Sequence, residues 1–294
     1  MRKKAYYLKI CEQMERTCRR ARIPRKSSKY SNEIYSVWTL LVLAGLREYE
    51  NKSYRRFNEW LEVTDQIQTQ LGLTQLPHFT TLHKFTQRIP PAWIHLLLKR
   101  VKDMDEEPVV VAIDSTGFRS DYGSQHYIKR MTHSGMKKFQ VKTHLKLTIS
   151  VETQSQLITS HKIRRGPAND NRDFPIVARR AAEAVTLGTI VADRGYDSEN
   201  NHRLVRETLN ANTIIPTRNQ DIPICRTHGK YRKEMKRGYD KNTYHQRNKT
   251  ETVNSVIKRI MSETIRARKT RTQNRTLGLR LFAYNSQRLA RTQN

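Results

Sequence analysis

The stretch Pro108-Val-Val-Val-Ala-Ile-Asp-Ser-Thr-Gly117 decides how the rest of the chain is read. Five apolar residues in a row, four of them β-branched, are too few for a helix and suit a buried strand. Asp114-Ser-Thr-Gly117 has the composition of a turn, so the spacing predicts a strand over 108–113 with Asp114 at its end. Working outward, alternation predicts strands over 145–151 and 157–163. A helix over 173–184 and a fourth strand over 188–192 follow, the strand ending in Asp193-Arg-Gly-Tyr-Asp197. Ser198 is placed to cap a helix over 200–209, and 212–216 reads as a short fifth strand. This order predicts an α/β fold, a mixed five-stranded sheet flanked by helices. If the first and fourth strands are neighbours, Asp114 and Asp193 emerge at one sheet edge.

Upstream, residues 1–104 read as an all-helical domain, set off by the acidic linker 103–108. Ser31 is the expected cap of an apolar helix running to Leu46, 53–61 reads as a short amphipathic helix, and Pro90-Pro91 opens another. The turn and short helix around Pro77–Phe85 suit a helix-turn-helix DNA reader, and a plain helical bundle equally. The expected division is therefore 1–104, helical and DNA-binding, and 105–294, with a basic loop at 218–243 and an apolar-striped helix over 277–289.

Tyr244 to Lys258 reads as a helix. At about 100° per residue, Tyr244, Arg247, Glu251 and Lys258 fall within an arc of about 60°. Val253, Val256 and Ile257 lie opposite, where they pack on a core. One face thus carries a carboxylate flanked by two cations and a phenol.

The formal charge of +29 requires a polyanionic partner, and nucleic acid suits it because many phosphates can be neutralised with counterion release. The longest apolar run, Trp38–Leu46, is too short to span a bilayer, and no basic amphipathic anchor or secretion signal is visible. Three scattered cysteines, Cys11, Cys18 and Cys225, argue for a reducing compartment. Cys225-Arg-Thr-His228 is half of a zinc site with no second half nearby, so a free thiol is expected. No phosphate-binding glycine loop is present. The expectation is a DNA-associated cytoplasmic (nucleoid) protein with no membrane partner.

Asp114, Asp193 and Glu251 converging in a cationic protein need compensation, which a pair of Mg²⁺ or Mn²⁺ ions supplies through all-oxygen ligation. Two such ions suit phosphodiester cleavage. The spacing Tyr244-x2-Arg247-x3-Glu251-x6-Lys258 resembles the Y-R-E-K signature of DDE transposases of bacterial and archaeal insertion sequences. Ile113-Asp114-Ser-Thr-Gly117 and Ala192-Asp193-Arg-Gly-Tyr-Asp197 resemble that family's two aspartate motifs. The resemblance covers about residues 108–294 and implies an RNase H-like core that cuts double-stranded DNA at element ends and joins the 3′-hydroxyl to a target. It further implies Asp114, Asp193 and Glu251 as catalytic metal ligands, with Tyr244, Arg247 and Lys258 on DNA phosphates, and a homodimer when bound to DNA. Asp170 falls where relatives often carry a further aspartate, in a secondary or structural role.

The chain departs from many relatives in one respect. Glu251 follows Asp193 by 58 positions, too few for the large β-rich insertion that they carry there. Two alternatives keep part of this reading: a DNA endonuclease of the same fold without transposition, and a non-catalytic, transposase-derived DNA-binding protein. Flanking inverted repeats would separate the first from a transposase, and a broken triad would favour the second.

Overall fold

The computed structural model describes residues 5–26, 34–103, 107–120, 144–166 and 169–292. The chain divides into two compact units, one of residues 1–102 and 257–294, the other of residues 103–256.

The first unit is helical. α1 (Tyr6–Arg20), α2 (Val37–Tyr49), α3 (Tyr54–Glu62), α4 (Asp65–Gln70), α5 (Phe79–Arg88) and α6 (Pro91–Lys99) come from the N-terminal part. The expected cap Ser31 lies outside the described residues. Ser36 caps α2 instead, its side chain accepting from Thr39 N, and Ser53 caps α3 in the same way through Arg56 N. Pro91 opens α6 as expected.

The second unit is a mixed sheet with helices. β1 (Val109–Ser120), β2 (His144–Glu152) and β3 (Ile158–Arg165) precede α7 (Phe174–Ala182) and β4 (Leu187–Ala192). Next come α8 (Glu199–Arg203), continued as a wider turn to Thr208, and β5 (Asn212–Ile214). α9 (Lys230–Arg237), α10 (Lys241–His245) and α11 (Asn248–Met261) follow. The strand order is β3-β2-β1-β4-β5, with β1, β2 and β3 antiparallel and β4 and β5 parallel to β1. This is the mixed α/β arrangement that the sequence predicts, except that the sheet has six strands rather than the expected five, the sixth being a two-residue strand at Thr264–Ile265 too short to show as an alternating run.

The two faces of the sheet are told apart by alternation. Val111 and Ile113 of β1 and Ile190 and Ala192 of β4 pack with Phe174, Val177 and Tyr196 in the larger core. Ala112 and Val191 pack on the other face with Ile214 and Met235, flanked by Tyr239 and Tyr244.

Three expectations are corrected. β1 does not stop at Ile113. It runs on to Ser120 because β2 pairs with it from Val111↔Glu152 to Arg119↔His144, and that ladder overrides the turn-like composition of Asp114-Ser-Thr-Gly117. The basic stretch 218–243 is not simply a loop, since it holds a turn at Ile224–Arg226, all of α9 and the start of α10. The last helix, α12 (Thr270–Thr292), is longer than its apolar stripe suggests and packs with α1, α2, α5 and α6 in the helical unit. A helix buried on nearly every side needs neighbours all round. Gly278 lets α12 approach α6: a Cβ there would sit 2.6 Å from Ile94 Cγ2.

Candidate active site

The parallel ladder between β1 and β4 ends at Ile113↔Ala192. Asp114 and Asp193 are therefore the next residues on adjacent strands at the carboxyl ends of the pair. By alternation both follow Ala112 and Val191 onto the smaller-core face, away from Phe174 and Tyr196. Asp193 is held there by its own turn: its Oδ1 accepts from Gly195 N at 2.8 Å.

The electrostatics agree with this placement. Burial pushes the Asp114 carboxyl up to about 6, and the like charges of Asp193 and Glu251 push the same way. The Ser115 N–H and the Arg247 charge hold it back. Burial opposes the charge of Arg247, yet Glu251, Tyr244, Asp114 and Asp193 outweigh it and raise its pKa. These five groups share one field.

Glu251 sits in the first turn of α11 and is anchored by Val253 and Ile257, both fully buried on the opposite side of the helix. Its side chain is 55% exposed and pairs with Arg247 at 2.9 Å. Tyr244 is not on that helix. It belongs to α10, and the chain turns tightly through Gln246 and Arg247 before α11 begins, with Arg247 N donating to Tyr244 O and Thr250 N to Arg247 O. The single helix expected over 244–258 is thus two. The turn is tied to the sheet by Thr153 Oγ1, which donates to Gln246 Oε1 at 2.6 Å, while Thr153 N donates to Val110 O. Tyr244 packs edge-on against Tyr239 at 5.4 Å, and burial raises its hydroxyl pKa. Lys258 lies seven positions beyond Glu251 on α11, on the same side of that helix, past the point where the two units divide.

The other acidic residues of this region are engaged elsewhere. Glu234 pairs with Arg206 at 2.8 Å, and Asp240 caps α10 through Asn242 N and Thr243 Oγ1. Asp197, four positions after Asp193, is nearly fully buried. It takes both arms of the Arg232 guanidinium at 2.8 Å, and accepts from Arg218 N as well. Glu199 accepts from Tyr231 N and Arg232 N at the start of α9. These two carboxylates pin the basic segment to the end of β4. Sequence reading missed that role; the signal was there in a second acid within Asp193-Arg-Gly-Tyr-Asp197 and a helix cap beside it.

A buried carboxylate whose pKa is raised by burial and by two neighbouring carboxylates suits a divalent cation, whose charge would relieve the repulsion. Among the described residues, no three His, Cys, Asp or Glu side chains are already gathered closely enough to hold a metal ion. Asp114 and Asp193 fit as a pair of oxygen donors, while Glu251 is paired with Arg247. Cys225 is an exposed free thiol, and Cys11 and Cys18 are buried in the helical unit. The side chain of Asp170 lies outside the described residues. No described helix is long and apolar enough to cross a membrane.

Two aspartates thus stand at the ends of adjacent parallel strands, with Glu251 in the same field. Residues 105–286 match the transposase DDE domain family, and the chain belongs to that family. The protein is a transposase, and DNA is what it binds. The family generally uses divalent metal ions. One similar solved structure is described as the cryo-EM structure of the piggyBac transposase synaptic complex with hairpin DNA. It is 11% identical, with a TM-score of 0.46, and the match covers 94% of this chain and 71% of that one. No curated protein matches the sequence.

Proposed function

We propose that Asp114, Asp193 and Glu251 hold Mg²⁺ or Mn²⁺, as two ions, and that this site cuts insertion-sequence ends and joins the freed 3′-hydroxyl to target DNA. The observation that carries the reading is the Ile113↔Ala192 register, which sets two carboxylates side by side on the face where Glu251 and Arg247 share their field. When bound, the divalent metal supplies Lewis-acid activation of a water or hydroxyl and stabilises the leaving oxygen.

The chain's own residues do the rest. Asp114 and Asp193 are fixed by backbone, one by a two-sided strand and one by its turn, so they serve as rigid ligands. Arg247 carries a reinforced positive charge at the end of the cluster and takes a DNA phosphate next to the cut. As it does so it releases Glu251 toward the aspartates. Tyr244 donates its hydroxyl to the backbone from the neighbouring helix, and Lys258 adds a contact further along α11. The complex works as a homodimer on double-stranded DNA, and the helical unit reads the element end.

The test is a cleavage and strand-transfer assay on element-end DNA with Mg²⁺, Mn²⁺, Ca²⁺ or EDTA. Cutting with Mg²⁺ and Mn²⁺, binding without efficient cutting in Ca²⁺, and no cutting in EDTA are expected. Full activity in EDTA would refute the metal assignment. Cutting without joining would leave an endonuclease.

A further inference from the structure

The helical unit has a cavity of about 550 Å³ whose chemistry is the reverse of the carboxylate site. It is lined by Arg47, Lys52, Arg266, Arg268, Lys269 and Arg280. Among the described residues that line it, Glu48 is the only carboxylate.

Two of these cations are deeply buried. Arg47 is 8% and Arg280 3% exposed. They divide Glu48 between them: Arg47 pairs with its Oε1, and Arg280 Nε meets its Oε2 at 3.2 Å. Arg280 is otherwise locked onto backbone, donating to Ser262 O at 2.6 Å and Thr264 O at 3.0 Å. Burial lowers the pKa of Arg280, and the nearby positive charges of Arg47 and Arg266 add to that depression against Glu48. One buried negative charge therefore faces two buried positive ones and a third close by.

Arg47 is held ready for something more. Its guanidinium lies 4.0 Å over the Tyr54 ring, and Tyr54 is in turn braced edge-on by His83 at 5.2 Å. One guanidinium nitrogen donates to Lys52 O at 3.0 Å and another goes to Glu48. Its buried Nε has no hydrogen-bond partner among the described residues. A buried guanidinium with a spare donor and too little negative charge around it is stabilised by an anion. The starts of two helices reach the same wall, Ser53 and Tyr54 at α3 and Lys269 and Thr272 at α12, and their positive ends favour the same charge.

We propose that this cavity is a phosphate-binding subsite for a DNA strand. A backbone phosphate enters against Arg47 and Arg280, and the exposed Arg266, Arg268 and Lys269 receive the flanking phosphates. The chemistry would equally accept free inorganic phosphate. DNA is the source argued for because the chain is a transposase and because a row of exposed cations leads to the buried pair. The proposal rests on DNA binding by this chain but not on the carboxylate site.

The experiment measures duplex DNA affinity of the full chain against salt concentration in EDTA, so that the readout does not depend on metal at the carboxylates. Arg266→Ala should reduce the log–log salt slope by about 1. Gln87→Trp, which fills the cavity without changing charge, should weaken binding severalfold with the same loss of slope. Arg16→Ala removes an exposed cation of α1 outside the cavity and should leave the slope unchanged. Equal slope losses for Arg266→Ala and Arg16→Ala would mean diffuse attraction and overturn the subsite, as would an unchanged slope for Gln87→Trp. Inorganic phosphate is the other arm, at matched ionic strength. If it raised the melting temperature of the parent but not of Arg266→Ala, while the DNA slope was identical in both, the cavity would belong to free phosphate and the DNA assignment would fall. All three positions are exposed or half-buried, and circular dichroism verifies folding of the variants.

Discussion

The ends of β1 and β4 and the wall of the helical cavity are electrostatic opposites. At the first, three carboxylates share one field with Arg247. At the second, Arg47 and Arg280 share Glu48, with the charge of Arg266 close by. Neither set balances its own charge. Close by in the sheet unit, Asp197 and Arg232 do balance: both oxygens meet one guanidinium at 2.8 Å. The difference teaches how to sort buried charge in this protein. A closed pair holds the fold together, whereas a cluster left with a surplus of one sign is the candidate place for a ligand of the other.

The largest effect should come from breaking the carboxylate surplus. Glu251→Gln is expected to cut end DNA at least about 10³-fold more slowly, since a lost metal ligand removes several kcal/mol of transition-state stabilisation. Stability should fall by no more than about 0.5 kcal/mol, because the contact with Arg247 is an exposed pair one turn apart. Glu234→Gln, which touches only the Arg206 pair, should remain active. A single-turnover cleavage assay decides between them; an active Glu251→Gln variant would remove Glu251 from the site.

Breaking the closed pair should act on folding instead. Asp197→Asn leaves Arg232 without its counter-charge and should cost about 3–5 kcal/mol in denaturant unfolding, with no recovery on adding Mg²⁺. A loss below about 1 kcal/mol would mean that the pair is not closed in solution.

The surplus itself can be titrated. Asp114 has a folded pKa of about 6 against an ordinary 3.8. Between those values the folded chain holds a proton that the unfolded chain has released. The contribution of Asp114 to stability is therefore full below about pH 4 and is lost as pH rises through 6. Asp114→Asn mimics the protonated form. Without divalent metal it should be more stable than the parent by about 2 kcal/mol at pH 7.5, allowing for residual solvent access, and equal to it at pH 4. Melting curves at both pH values check this; a less stable variant at pH 7.5 would contradict the crowding of negative charge.

The smallest effect belongs to Arg247 at the carboxylate cluster. Arg247→Ala should lower the salt slope of DNA binding by about 1 and leave the melting temperature nearly unchanged. An unchanged slope would mean that Arg247 serves Glu251 alone.

Much of the fold was legible in the sequence because its signals are local. The β-branched run at 109–113, the alternation in β2 and β3, and Ser53 and Pro91 at helix starts each act within a few residues. The places where the reading failed are those where a distant partner overrides the local signal. Asp114-Ser-Thr-Gly117 reads as a turn, yet β2, after an intervening stretch, holds it extended. The apolar stripe reads as a helix over 277–289, yet α12 begins at Thr270 and its buried sides are matched by four helices from the other end of the chain.

For the candidate site, the sequence by itself marked out the residues proposed for the chemistry: Asp114, Asp193 and Glu251 by type and order, and Arg247 by its one-turn spacing from Glu251. It determined the large cation excess as well. Only the tertiary structure decided that β1 pairs in parallel with β4 in a ladder ending at Ile113↔Ala192, which is what sets the two aspartates side by side. Only it divided the Tyr244–Lys258 stretch at Gln246 and collected Arg47, Glu48, Arg266 and Arg280 around one cavity. The physical reason is that helix spacing is a property of neighbouring residues, whereas strand register and charge compensation depend on which distant segments share a surface.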